Sequence, residues 1–292
     1  MIPSKFEYFA PKSVPEALSL LAKYQEDVKV LAGGHSLLPQ MKLRLAAPKY
    51  VVDIGRIPGL AYIKEGNGKI SIGALTTHYA VETSALLKQK CPLLSETAAA
   101  IGDVQVRNRG TIGGSLAHAD PAADWPAAIL ALNAELKLIG KSGERTIEAE
   151  DFFVEMMTTA IQPAELLAEI GIPQLPARTG STYLKMHQKA SGFAIVGVAA
   201  RVTLDANQVC QEVGIGITGV ASKAYRARSV EAQLKGKKLD PAVIKQAAQK
   251  ATDGVEALAD LHASSEYRSH LCRVYTGRAL EAALSRAKAI GK

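Results

Sequence analysis

The sequence predicts an α+β protein, and three observations carry the prediction. Helix and strand signals alternate over the first third of the chain, alternating apolar and polar segments recur from Glu135 to Ile217, and an alanine-rich helical stretch closes it. Ser13-Val14-Pro15-Glu16 reads as a capping box with proline early in the first turn, ahead of the apolar-periodic Ala17-Leu18-Leu20-Leu21. The apolar run 28–31 predicts a strand, and 50–54 another. Arg56-Ile57-Pro58-Gly59 marks a turn, because proline presets φ and glycine permits a positive one. An alternating strand follows at 69–73. Helical patterns run over 79–87 and 93–101, and Asp124-Trp125-Pro126 opens a third at Ala127. The alternating segments 135–139, 166–172, 181–186, 197–204 and 212–217 predict an antiparallel sheet. Prolines and glycine interrupt the strand signals across 173–180, which sets a domain boundary giving 1–177 and 178–292. Residues 241–288 read as helix.

The composition narrows the class. A chain of 292 residues is long enough for two domains with buried cores. Its longest apolar stretches fall well short of the roughly 20 residues of a membrane span. The N-terminus, Met1-Ile2-Pro3-Ser4-Lys5-Phe6-Glu7, lacks a signal-peptide apolar region, so a cytoplasmic location is expected. Cys91, Cys210 and Cys272 form no C-x-x-C, which argues against a self-contained iron–sulfur or cysteine-rich zinc site. The net charge of +7 is dispersed and not interleaved with aromatics, so nucleic-acid binding is not expected.

Two glycine loops carry the chemistry: Ala32-Gly33-Gly34-His35-Ser36 and Thr111-Ile112-Gly113-Gly114-Ser115. Paired glycines let backbone N–H groups approach an anion, and Ser36 and Ser115 each add a hydroxyl. Two such loops, eighty positions apart, predict a pyrophosphate held from two sides, and hence a dinucleotide. The Gly-Lys-Ser/Thr ending of a P-loop is missing, as is a G-x-G-x-x-G. Gly34-His35-Ser36-Leu37-Leu38 lacks the second glycine of a nucleophile elbow. His35, His78 and His118 show no metal-ligand spacing. Asp124 reads either as a helix N-cap or as an acceptor for a ribose hydroxyl, Trp125 as core, and Lys185 as a solvent-facing strand residue.

Beyond these readings, the strings Lys29-Val30-Leu31-Ala32-Gly33-Gly34-His35-Ser36-Leu37-Leu38-Pro39-Gln40-Met41-Lys42 and Gln105-Val106-Arg107-Asn108-Arg109-Gly110-Thr111-Ile112-Gly113-Gly114-Ser115 resemble the two FAD loops of the flavoprotein (medium) subunits of molybdenum hydroxylases. Ala117-His118-Ala119-Asp120-Pro121 extends the second match. The likeness covers essentially the whole chain and is greatest to the carbon monoxide dehydrogenase branch of that family. It implies a two-part FAD-binding domain of the p-cresol methylhydroxylase type over 1–177 and a smaller α+β flavoprotein C-terminal domain. It implies that 32–36 and 111–115 hold the FAD pyrophosphate, that Asp124 contacts the ribitol or ribose, and that Lys29, Leu167 and Lys185 are further flavin contacts. Gly192 departs from the acidic residue that many relatives carry before the aromatic at Phe193. The resemblance further implies an electron-transfer role. Molybdenum cofactor and [2Fe-2S] clusters would sit on a large molybdopterin and a small iron–sulfur partner subunit, in a dimer of heterotrimers. A self-sufficient flavin oxidase, with flavin attached through His35, and a non-redox nucleotide-binding scaffold are the competing readings.

Overall fold

In the computed structural model, which describes residues 2–290, the N-terminal segment builds a small parallel sheet. Strands β1 (Glu7–Phe9), β2 (Val28–Leu31) and β3 (Tyr50–Asp53) lie in the order β1-β3-β2. The helix Val14–Tyr24 makes the crossover and buries Ala17, Leu18 and Leu21 with Val52 and Ile54. The Ser13 side chain accepts from the Glu16 N–H at 3.4 Å. Glu16 Oε2 accepts from the Lys12 N–H at 2.8 Å, so the return arm of the predicted box closes one residue early.

A five-stranded antiparallel sheet follows. It comprises β4 (Ile63–Gly66), β5 (Lys69–Gly73), β6 (Glu135–Gly140), β7 (Gly143–Glu148) and, beyond the short hairpin β8 (Phe153–Glu155) and β9 (Thr158–Thr159), β10 (Leu166–Pro173). Their order is β4-β5-β10-β6-β7. Six helices lie between β5 and β6, ending with Val104–Arg109, Ile112–His118 and Trp125–Ala131. The helix expected over 79–87 is two, His78–Thr83 and Ala85–Lys90. Ser84 leaves helical geometry at ψ 117° and caps the second by accepting from Leu87 N–H at 3.3 Å.

The third sheet, β11 (Thr179–His187), β12 (Ala194–Leu204), β13 (Cys210–Thr218) and β14 (Tyr225–Arg226), is antiparallel throughout. The sequence predicts one sheet from all the alternating segments, whereas the structure divides them between two. Alternation records which face of a strand is apolar and says nothing of its neighbour. The helical tail is likewise divided: Pro241–Ala248 and Ser265–Ile290 are separated by residues without helix.

The helix Trp125–Ala131 joins the first part of the chain to the third sheet. All seven of its residues are buried. It lies so close to β13 that a Cβ on Gly216 would stand 1.9 Å from the Ala127 carbonyl oxygen, and one on Gly214 2.2 Å from that of Ala131. Arg201 Nε, from β12, donates to the same Ala131 oxygen at 3.2 Å. At its N-terminal end the fully buried Trp125 donates its indole N–H to His78 Nδ1 at 3.0 Å.

Burial, reinforced by His35 and Arg107, pushes His78 down from 6.5 to about 4. The folded ring therefore stays neutral over a range in which the unfolded ring binds a proton. Stability tied to this residue is intact above pH 6.5 and lost as pH falls towards 4, an effect of about 3 kcal/mol. Urea midpoints measured across that window should fall steeply for the wild type and less for His78→Gln, which cannot titrate there. Parallel curves would contradict the assignment.

Candidate functional site

The two glycine loops meet. A Cβ on Gly33 would lie 2.1 Å from the Arg109 carbonyl oxygen and 2.8 Å from Gly110 Cα, and one on Gly114 would lie 3.5 Å from Ala32 Cβ. Gly33 therefore has to be glycine for the loops to touch. Gly34 takes φ +80°, where glycine is at no disadvantage. The contact forms because β2, an edge strand, delivers the first loop beside the residues that precede Ile112–His118.

The loops differ in what their backbones offer. The N–H groups of Gly33, Gly34, His35 and Ser36 donate to no acceptor within the described residues. In the second loop the amides are already committed. Ile112 donates to the Thr76 carbonyl at 3.0 Å, Gly113 to that of Ala74 at 2.9 Å, and Gly114 to Thr111 Oγ1 at 3.1 Å. These residues are the first turn of a helix with Thr111 as its N-cap, and the Ile112 side chain is core. The glycine at 113 serves packing, since a Cβ there would meet Ala74 Cβ at 2.4 Å. The Ser115 N–H returns to the Thr111 carbonyl at 3.0 Å, and neither Ser36 nor Ser115 makes a hydroxyl bond within the described residues.

A cleft of about 210 Å³ opens on the first loop, lined by Leu31, Ala32, Gly33, Gly34, Asp53, Arg56 and Arg109 among others. Arg56 and Arg109 form no ion pair among the described residues, in contrast to Arg107, whose Nε is 2.7 Å from Glu82 Oε2. Four free amides and two unpaired guanidinium groups fit a pyrophosphate. Sequence reasoning singled out neither Arg56 nor Arg109 as a ligand. Their signal was weak, a turn and a short basic cluster. His35 is exposed and brings Nδ1 to 3.2 Å from the Gly33 carbonyl oxygen.

The remaining predicted residues are not gathered at this cleft. Lys29 is exposed on β2, and Leu167 is buried on β10 at a register shift. Asp124 and Lys185 form a separate buried group, their side chains each 6% exposed, with Lys185 Nζ 3.0 Å from the carboxylate. Lys185 also donates to the Ala100 carbonyl at 2.6 Å and to that of Gly192 at 2.8 Å, which uses its three protons. The Tyr183 hydroxyl donates to Asp124 Oδ1 at 2.5 Å. Asp124 is at the N-cap position of Trp125–Ala131 but makes no capping bond, and Lys185 faces inward where the strand pattern alone predicted solvent. Burial raises the Asp124 carboxyl, and the Lys185 ammonium and the two hydrogen bonds oppose the rise. Burial, with the adjoining carboxylate, pushes the Tyr183 hydroxyl well above 10, so it remains a donor.

Comparison with known proteins shows the family. Residues 4–175 match the family described as the FAD binding domain in molybdopterin dehydrogenase, and 181–283 that described as the CO dehydrogenase flavoprotein C-terminal domain. The 6-hydroxypseudooxynicotine dehydrogenase complex subunit alpha of Paenarthrobacter nicotinovorans is 41% identical over 99% of this chain and 97% of its own. The carbon monoxide dehydrogenase medium chain of Hydrogenophaga pseudoflava is 40% identical over 98% and 99%. A solved carbon monoxide dehydrogenase from the same organism, one lacking the Mo-pyranopterin moiety of its cofactor, superposes at a TM-score of 0.95 with 41% identity, covering 98% of this chain and 99% of its own. No helix among the described residues is long and apolar enough to cross a membrane. The chain belongs to the FAD-binding subunits of the molybdenum hydroxylases and is an oxidoreductase subunit of the carbon monoxide dehydrogenase medium-chain type.

Proposed function

We propose that this subunit binds FAD with its pyrophosphate on the first glycine loop, takes electrons from the iron–sulfur clusters of a small partner, and passes them to an external acceptor. The observation that carries the reading is the set of four unbonded amides at 33–36, beside a cleft that Arg56 and Arg109 help to line. Bound there, FAD supplies the redox chemistry that protein side chains lack. The chain's own residues hold and orient it. The loop amides and the arginines neutralise the phosphates, Ser36, Thr111 and Ser115 contribute hydroxyls, and Ile112, Gly113 and Gly114 set the helix against which the first loop rests. Lys29, His35, Asp124, Leu167 and Lys185 are assigned to the same cofactor on family likeness. The domain boundary is placed at 177/178. Molybdenum and [2Fe-2S] chemistry is assigned, on family likeness, to a large and a small partner in a cytoplasmic dimer of heterotrimers.

The purified complex should absorb as a flavoprotein, and acid should release FAD from a colourless precipitate. Colour that stays with the denatured chain would favour covalent attachment through His35 and a self-sufficient oxidase. A colourless native complex would leave the nucleotide-scaffold reading. The isolated chain, titrated with FAD, should bind it yet fail to reduce a dye with any hydroxylase substrate.

Gly33→Ala should abolish FAD retention, because its methyl group meets the Arg109 backbone, which cannot move aside cheaply. Arg109→Met should weaken FAD binding roughly tenfold, the loss of one charge-assisted contact, and Ser36→Ala by about 1 kcal/mol. Titration of both variants at normal affinity would remove the pyrophosphate from this loop.

Lys185→Met leaves the Asp124 carboxyl buried without its cation. Unfolding stability should drop by about 3–5 kcal/mol, and the double variant Lys185→Met/Asp124→Leu should recover part of the loss. If the pair lies beside the flavin, removing the ammonium lowers the flavin midpoint potential, about 30 mV for 1.4 kcal/mol of lost interaction. Redox titration that finds the wild-type potential in a variant still holding FAD would restrict Lys185 to a structural role.

A further inference from the structure

We propose that Asp53 accepts a hydrogen bond from a ribose hydroxyl on the adenosine half of the bound FAD, with Tyr8 holding its carboxylate in place. The proposal rests on the FAD reading above and deepens it. Asp53 is the last residue of β3 and pairs in register with Leu31, the last of β2, so the strand pairing sets it next to the start of the first loop. It lines the same cleft as Gly33, Gly34, Arg56 and Arg109. A Cβ on Gly55 would lie 3.0 Å from Asp53 Oδ1 and 3.6 Å from the Ala32 carbonyl oxygen. The carboxylate and the loop backbone therefore close on the same glycine.

The carboxylate is fixed but not saturated. Oδ1 accepts from the Gly55 N–H at 2.8 Å, and Oδ2 accepts from the Tyr8 hydroxyl at 2.6 Å. Tyr8 comes from β1, which pairs with β3 on the side away from β2. The bond to Asp53 raises the Tyr8 hydroxyl above its ordinary 10, so it stays a donor. A carboxylate offers about four lone-pair sites, and no other donor among the described residues reaches this one. Arg56 and Arg109 line the cleft, yet neither pairs with Asp53. A carboxylate repels phosphate, so beside a bound pyrophosphate it must face the part of the ligand that donates. In a dinucleotide those donors are sugar hydroxyls, and an acidic residue on ribose hydroxyls serves other dinucleotide sites in this way. Leu167 and Lys185, which family likeness gives to the flavin, line no part of this cleft, and it is left to the adenosine half. The guanidinium groups and the carboxylate thus divide the ligand between them, cations for the phosphates and an acceptor for the sugar.

The test uses the full-length chain with FAD and its 2′-deoxyadenosine and 3′-deoxyadenosine analogues, binding being followed by quenching of flavin fluorescence at pH 7. The wild type should bind FAD and should bind at least one analogue about tenfold more weakly, as for one hydrogen bond to a charged acceptor. Asp53→Ala should bind FAD about tenfold more weakly than the wild type does, and should bind that analogue as well as it binds FAD. Asp53→Asn, whose carbonyl oxygen carries no charge, should show a smaller loss on deoxygenation than the wild type. Equal affinity of the wild type for all three ligands, or a loss on deoxygenation that persists undiminished in Asp53→Ala, would overturn the proposal and leave the flavoprotein reading standing. Failure of the wild type to bind FAD would overturn both. If Asp53→Ala does not fold, Asp53→Asn decides, and an undiminished loss there refutes the proposal.

Discussion

The buried pair of Asp124 and Lys185 is the interaction on which the rest of this structure depends. Asp124 opens the helix that follows the second glycine loop, and Lys185 lies on β11 of the third sheet. Two charges taken out of water are costly unless every remaining hydrogen-bonding site is answered. Here the answers come from distant parts of the chain: the Tyr183 hydroxyl, the Ala100 carbonyl and the Gly192 carbonyl. The pair therefore ties the end of Pro92–Ala99, the start of Trp125–Ala131 and the turn before β12 to one point. Gly192, at φ +76°, lets that turn present its carbonyl to the lysine.

Close backbone packing completes what the ion pair orients. Trp125–Ala131 presses on Gly214 and Gly216 of β13, and Thr218 Oγ1 donates to the carbonyls of Pro121 and Ala123 at 2.9 and 2.8 Å. The segment leading from the second loop is thus held against the third sheet by hydrogen bonds and by the absence of side chains. Farther from the site, Glu96 accepts from Thr182 and from Arg286 of the last helix, which adds a second tie between the same layers. The glycine loops inherit this rigidity. Gly33 rests on Arg109 and Gly110, Gly110 on His78, and His78 on Trp125, so the first loop has an unbroken line of contacts to the core.

Much of this was legible along the chain. Ser13 and Glu16 marked a helix start because capping is local, and the alternation in 181–186, 197–204 and 212–217 marked strands because the period of two is local. The paired glycines at 33–34 marked a loop of close backbone approach for the same reason. The grouping of strands into sheets was not legible, since alternation names a face and not a neighbour. Nor was the division of labour between two loops of nearly identical composition. Only the first keeps its amides free. The second begins a helix, and its amides are met by Ala74, Thr76 and Thr111.

The sequence by itself determined the α+β class, most of the element positions and the family, because these follow from short-range pattern and from motifs read in order. Tertiary structure alone decided what Asp124, Lys185 and His78 do. Asp124 read either as an N-cap or as a ribose acceptor and Lys185 by its strand pattern as a surface lysine, yet each is buried against the other. His78 had no ligand spacing, but Trp125, 47 positions away in the chain, fixes which of its nitrogens holds the proton. The chemistry of a polar side chain depends on its burial and its partner, and both are supplied by residues far away in sequence.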